Sequence, residues 1–130
     1  MTRPMMTAVF QVALGGAAGA VLRYLTGIGV VRLLGHTPFP YAILSVNILG
    51  SFLMGVFVVA AAHRGLTHLS PLVMTGLLGG FTTFSAFSLE AVTLYERGEV
   101  TSAVIYVVAS VCLSIFGLVL GLWLARGLFA

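Results

Sequence analysis

Four long apolar segments constrain the fold of this chain more than any other feature. They run from Met6 to Leu25, Tyr41 to Ala62, Leu69 to Leu94 and Thr101 to Leu124, with short polar joints between them. Each reaches the roughly 20 residues that an α-helix needs to cross a bilayer. Hydrophobic residues make up 60% of the chain and charged residues only 7%, too few charges to cover a water-soluble domain. The sequence therefore predicts an integral membrane protein.

The helical fold class follows from the lipid solvent. Lipid offers backbone groups no partner, so only helices and closed barrels span a membrane, and the alternating pattern of barrel strands is missing here. We predict one all-α membrane domain over residues 1–130, with four transmembrane helices. Nucleic acid is not an expected partner, because the basic residues lie singly. Catalysis is not expected either, because the few titratable residues supply no nucleophile, base and orienting group. The lone Cys112 is predicted to be a small core residue.

The arginines divide evenly between the two ends of the predicted helices. With alternating topology they fall on the two sides as Arg3, Arg64 and Arg126 against Arg23, Arg32 and Arg97. An equal count gives the positive-inside rule no preference. Two interpretations remain open, a weakly specified orientation and an antiparallel pairing of both orientations. Four helices leave a thin interior for transport, which favours assembly, and a two-fold dimer is the commonest closed assembly.

Small residues recur four positions apart in all four segments. The pairs are Gly15 with Gly19, Ser51 with Gly55, Gly76 with Gly80, and Gly117 with Gly121. Such spacing lets membrane helices approach each other closely. It leaves open whether the contacts lie within one chain or between two chains.

The third segment contains GLLGGFTTFSAFSLE, from Gly76 to Glu90, where glycines and hydroxyls interrupt an apolar run. Glycine weakens a helix, and threonine hydroxyls bond to freed backbone groups nearby. We predict a break near the middle of this helix, at the pair Gly79 and Gly80. Backbone freed at membrane depth needs protein, water or an ion as its partner. The break therefore predicts a buried occupant.

Polar side chains also lie deep in the second and fourth segments. Asn47 is either a hydrogen-bonding contact between helices or part of a polar pathway. Tyr106, Ser110 and Ser114 recur every fourth residue, which places their oxygens on one helix face. Either serine taken singly is expected to bond back to its own helix, whereas the three hydroxyls in register favour a polar stripe.

The acidic residues are badly placed for proton or cation transport. Such transport usually needs a carboxylate at mid-membrane. The acids of this chain are Glu90, Glu96 and Glu99, and only Glu90, near the end of the third segment, could be embedded in the membrane. A pathway of amide, hydroxyl and aromatic groups with arginines at its mouths suits a small anion.

At these residues the sequence resembles the CrcB/Fluc family of fluoride channels. GGAAGAVLRY (Gly15 to Tyr24), VNILGSF (Val46 to Phe52) and GLLGGFTTFSAFSLE look like its three signature segments, in order. The four-span layout agrees over nearly the whole chain. Ala86 departs from the pattern, because many relatives carry threonine there.

The resemblance implies a dual-topology antiparallel homodimer in a bacterial-type inner membrane, with two fluoride pores along the subunit interface. The residues that it assigns to the fluoride pore are Asn47, Phe84, Phe87, Tyr106, Ser110 and Ser114. Arg23 would lie at the aqueous vestibule. A structural sodium ion, which is not transported, would be held by the main-chain carbonyls of Gly79 and Thr82 from both subunits.

The predicted function is a passive leak of cytoplasmic fluoride out of the cell, and two alternatives remain. The first is a small multidrug-type exporter coupled to protons, which requires a buried glutamate in the first helix; the run from Met6 to Leu22 contains none. The second is a membrane assembly protein without transport, in which the polar stripes would only join helices.

Overall fold

The computed structural model describes residues 2–130, and the regular structure within them is entirely helical. Its four spans are each long and apolar enough to cross a membrane, as the sequence predicts. In chain order the elements are α1 (Arg3–Leu34), α2 (Tyr41–Arg64), a 3-10 turn (Thr67–Leu69), a π-helix (Pro71–Leu78), α3 (Gly79–Phe81), α4 (Phe84–Glu96) and α5 (Val100–Phe129).

The first helix is longer than the sequence predicts. It continues past Leu25 to Leu34, through residues that had the composition of a polar joint. Arg32 lies in its last turn, where a positive charge interacts favourably with the unpaired carbonyls of a helix C-terminus. Gly35 then ends the helix with a φ of 74°, in a region that side chains with a Cβ rarely adopt.

Glycine seams join the helices in pairs within one chain. Helix α1 packs against the first half of the third span, residues 71–81, where a Cβ added at Gly76 would lie 2.9 Å from the Cα of Gly15. Helix α2 packs along α5, where a Cβ added at Gly117 would lie 3.2 Å from the carbonyl oxygen of Ile48. The predicted close approach at the glycine motifs is confirmed, and these contacts are intramolecular.

The predicted break near the middle of the third span is confirmed, but it lies at Thr82 and Thr83, so its predicted position at the glycine pair was wrong. Thr82 (φ −85°, ψ 158°) and Thr83 (φ −154°, ψ 117°) are extended, whereas Gly79 (φ −64°, ψ −36°) is helical. Gly80 also lies within α3, because its missing side chain admits the neighbouring helix: a Cβ there would lie 2.6 Å from the Gly16 carbonyl oxygen. The glycines therefore serve packing rather than unwinding.

Threonine hydroxyls hold the two ends of the break. The Thr82 hydroxyl donates to the Leu78 carbonyl at 2.9 Å, and the Thr83 hydroxyl accepts the N–H of Ala86 at 3.1 Å. The second bond is an N-cap, which satisfies one of the free donors at the start of α4. The prediction that these threonines bond to freed backbone groups is confirmed for Thr83 only, because the Leu78 carbonyl also keeps its helical bond from the N–H of Thr82.

The buried core is small and lies between α4 and α5, where its members are Phe87, Leu94, Ala103 and Tyr106. Large apolar side chains cover the outside, among them Phe10, Leu14 and Trp123, as expected of a surface that faces lipid. The prediction that Cys112 is a core residue was wrong, because it is exposed on the outer face of α5. Lipid is as apolar as a protein core, so an apolar run does not show which side faces inward.

Candidate functional site

Asn47 of α2 clamps the break in the third span. Its Oδ1 accepts the N–H of Thr83 at 2.8 Å, and its Nδ2 donates to the carbonyl of Thr83 at 3.1 Å. Because a backbone N–H can only donate, the atom facing it must be the amide oxygen, which fixes the orientation of the side chain. One Nδ2 hydrogen is used by Thr83, and the second remains for another acceptor.

A polar groove of about 370 Å³ runs beside this clamp, between α2, the break, α4 and α5. Amide and hydroxyl side chains share its wall with two phenylalanines and four other apolar side chains, and no charged residue is among the described residues that line it. The groove brings together five of the six predicted pore residues, which are Asn47, Phe84, Phe87, Ser110 and Ser114. It also contains Ser51, Thr82 and Thr83, which the sequence analysis did not assign to a pore.

The serine hydroxyls in the groove are not bonded to their own helices. Elsewhere Ser45 donates to the Tyr41 carbonyl at 2.7 Å and Ser88 to the Phe84 carbonyl at 3.0 Å, the usual bond of a serine in a helix. Ser110 is 5% exposed, and its hydroxyl has no hydrogen-bond partner among the described residues. A buried donor without a partner is costly, so this one is available to a ligand.

Aromatic rings continue from the groove into the core. The Phe84 and Phe87 ring centroids are 5.2 Å apart, and Phe87 lies 5.3 Å from the Tyr106 ring. Phe84 is 76% exposed, whereas Tyr106 is completely buried. Tyr106, the sixth predicted pore residue, lies behind Phe87 and does not line the groove, and its hydroxyl has no partner among the described residues.

Phe39 closes the buried end of this aromatic series. Its ring meets the Tyr106 ring edge-on, with centroids 5.6 Å apart. The Phe39 carbonyl accepts bonds from the Thr37 hydroxyl and the Tyr41 N–H, both at 2.9 Å, which hold the joint between α1 and α2 in place. Sequence analysis missed this role, because the only signal was one aromatic residue between two prolines.

Arg23 lies apart from the polar groove. Its Nε donates to the carbonyl of Gly80 at 3.1 Å, so its charge lies at the C-terminal end of the first half of the third span, where a cation is favourable. It also lines a second groove of about 690 Å³ together with Tyr24, Arg32 and Ile43. Its assignment to a vestibule stays a prediction.

The carbonyl oxygens of Gly79 and Thr82 are among those that lose their helical partners at the break. In a continuous helix the Gly79 carbonyl would accept the N–H of Thr83, which bonds instead to Asn47. The Thr82 carbonyl would likewise accept the N–H of Ala86, which bonds to the Thr83 hydroxyl. Neutral oxygens of this kind are ligands that suit a hard cation such as sodium. The chemistry of the predicted sodium ligands therefore fits.

Four helices able to span a membrane, the third of them broken beside an uncharged groove, define a small multi-pass membrane protein. A family model described as CrcB-like protein, Camphor Resistance (CrcB), matches residues 10–122. The chain belongs to this family, as its motifs predict.

Curated relatives match over nearly their whole length. A fluoride-specific ion channel FluC of Roseobacter denitrificans is 66% identical over 125 residues, covering 95% of this chain and 99% of the relative. One from a Jannaschia species is 74% identical over 105 residues, covering 78% of this chain and all of the relative. One from Cereibacter sphaeroides is 56% identical over 126 residues, covering 97% of this chain and all of the relative.

Proposed function

We propose that this chain is a fluoride-selective channel through which cytoplasmic fluoride leaves the cell passively. The observation that carries the proposal is the polar groove, in which the Asn47 amide and the hydroxyls of Ser110 and Ser114 face a path without charged residues. The relatives described above are named for the same function.

The groove replaces water around a small anion without holding it tightly. Moving a bare ion into a low-dielectric medium costs tens of kcal/mol by Born reasoning, so donors must follow one another along the path. The Asn47 amide and the serine hydroxyls supply N–H and O–H donors, and the positive edges of the Phe84 and Phe87 rings can meet an anion between them. Neutral donors bind weakly enough to let the ion leave, as conduction requires.

The start of α4 adds a positive field to the same path. Phe84 begins this helix and lines the groove, and the N-terminus of a helix carries a partial positive charge. A half-helix that begins at membrane depth and points its N-terminus at an anion is a known arrangement in transport proteins. The break thus serves the pathway as well as the fold.

We propose further that two chains assemble as an antiparallel, dual-topology homodimer in a bacterial-type inner membrane. The groove is open on one side of the single chain, and Phe84 is 76% exposed beside it, so a second surface is needed to enclose an ion. The Gly79 and Thr82 carbonyls of both copies would hold a structural sodium ion. When bound, this ion supplies a fixed positive charge that joins the two breaks.

Anion efflux from liposomes tests the proposed function. The purified protein is reconstituted, and the release of fluoride and of chloride is followed with ion-selective electrodes, with protein-free liposomes as the control. We expect rapid release of fluoride and release of chloride close to the control. Equal rates for the two halides, or no release of either, would contradict the proposal.

A further inference from the structure

Ser51 lies in the polar groove, although its spacing in the sequence indicates a packing residue. It follows Asn47 by four positions on α2, so the two side chains share a helix face, and both line the groove. Ser51 is half-buried, and its hydroxyl bonds to none of the described residues. Gly55, its partner in the small-residue pair, makes the helix contact instead: a Cβ there would clash with the Leu118 backbone.

The packing of α2 on α5 sets the depth of Ser51. Gly117 approaches Ile48, and Gly55 approaches Leu118. The two helices run in parallel, so Ser51, one turn before Gly55, lies beside the turn of α5 from Ser114, its last serine in the groove, to Leu118. From the α2 side, Ser51 therefore adds a hydroxyl at the end of the row of polar groups that α5 contributes to the groove.

We propose that Ser51 is a further fluoride-binding donor of this pathway. Beyond Ser114 the lining becomes apolar, with Met54, Ile115 and Leu118, and none of these side chains can donate a hydrogen bond to an anion. A fluoride ion that has lost its water needs a donor at each step, and Ser51 supplies the donor on this stretch. The assignment rests on the proposed fluoride function.

Matched serine substitutions test the assignment in the full-length protein. Ser51→Ala removes the hydroxyl, and Ser51→Thr keeps it. Ser45→Ala is the control, because Ser45 lies on the same helix but bonds back to Tyr41 and lines no part of the groove. We expect Ser51→Ala to lower fluoride efflux per protein about 3- to 10-fold, the usual weight of one hydrogen bond, with Ser45→Ala unchanged and Ser51→Thr closer to wild type than Ser51→Ala.

The outcomes separate this assignment from the function on which it rests. Gel-filtration profiles and Trp123 fluorescence that match wild type show that the variants are folded, so a lower efflux reports on the pathway. Wild-type efflux from Ser51→Ala, or an equal loss in Ser51→Ala and Ser51→Thr, would overturn the assignment while the channel function stands. A wild-type protein that releases no fluoride would overturn both.

Discussion

Asn47 and Thr83 are joined by two hydrogen bonds, one to the N–H and one to the carbonyl of the same residue. One side chain thus satisfies both backbone groups of a residue that has left its helix. The same amide lines the polar groove. The structure contains the first of the two alternatives for Asn47, a hydrogen-bonded contact between helices. Its place in the groove leaves the second alternative, a part of the pathway, open as well.

Replacing Asn47 with leucine is expected to lower both stability and fluoride efflux. Thr83 would keep an unpaired N–H and an unpaired carbonyl at membrane depth, at a cost of about 1–3 kcal/mol each. Thermal denaturation in detergent measures the first effect and liposome efflux the second. An unchanged denaturation temperature would show that the break does not depend on this clamp.

Replacing Gly76 with alanine is expected to destabilise the chain by about 1–3 kcal/mol through overpacking. The added Cβ would meet the Cα of Gly15 at 2.9 Å and the backbone of Gly16 at 3.1 Å, and backbone atoms cannot turn aside as a side chain can. Gly29→Ala in α1 is the matched control, because a Cβ there meets nothing within 4 Å. A similar denaturation temperature for both variants would contradict the glycine seam.

The two groove phenylalanines are expected to respond differently to alanine. Phe87 is buried and packs on Tyr106, so Phe87→Ala should lose stability by about 3 kcal/mol together with fluoride efflux. Phe84 is largely exposed in the single chain, so Phe84→Ala should lose efflux with a smaller loss of stability. Denaturation and efflux, measured on the same preparations, separate the two effects. Normal efflux from both variants would exclude an aromatic contribution to the path.

The proposed dual topology requires that the chain inserts in both orientations, which the even distribution of arginines permits. A single cysteine at Gly127, near the end of α5, in a Cys112→Ser background should be labelled from both sides of the membrane in comparable amounts by an impermeant thiol reagent. Adding arginines to one side should shift the labelling to one side, because positive charge favours the cytoplasm, and should reduce efflux. Labelling from one side only in the unbiased protein would exclude dual topology.

The number of spans and the family could be predicted, because both depend on composition and order along the chain. The position of the break could not be. The pair Gly79 and Gly80 was compatible both with an unwound helix and with close helix packing. The close approach of α1 to Gly80 in the structure shows that packing is the role of Gly80. Likewise, the π-helix (Pro71–Leu78) has no signature of its own in this apolar run.

Residues of the candidate site could be predicted where a polar side chain stands out in an apolar segment. They were missed where the same residue type also fits a role in helix packing. Asn47, Ser110 and Ser114 stand out because lipid makes an unused polar side chain costly. Ser51 was interpreted as a packing residue, because serine and glycine are both small, and its spacing from Gly55 fitted that role. Which side of α2 faces the groove depends on its register with α5, which the sequence alone does not contain.

The two halves of the third span pack against different helices. Residues 71–81 dock on α1, whereas α4 packs on α5, so the molecule consists of two helical blocks that meet at Thr82 and Thr83. A displacement of α1 can reach the serines of α5 through this short threonine hinge, through Asn47, which is hydrogen-bonded to the hinge, or through the contacts of α2 with α1 and with the first half of the third span. No residue of α1 lines the polar groove, so we expect substitutions on the lipid face of α1 to be tolerated much better than equally conservative ones around the hinge.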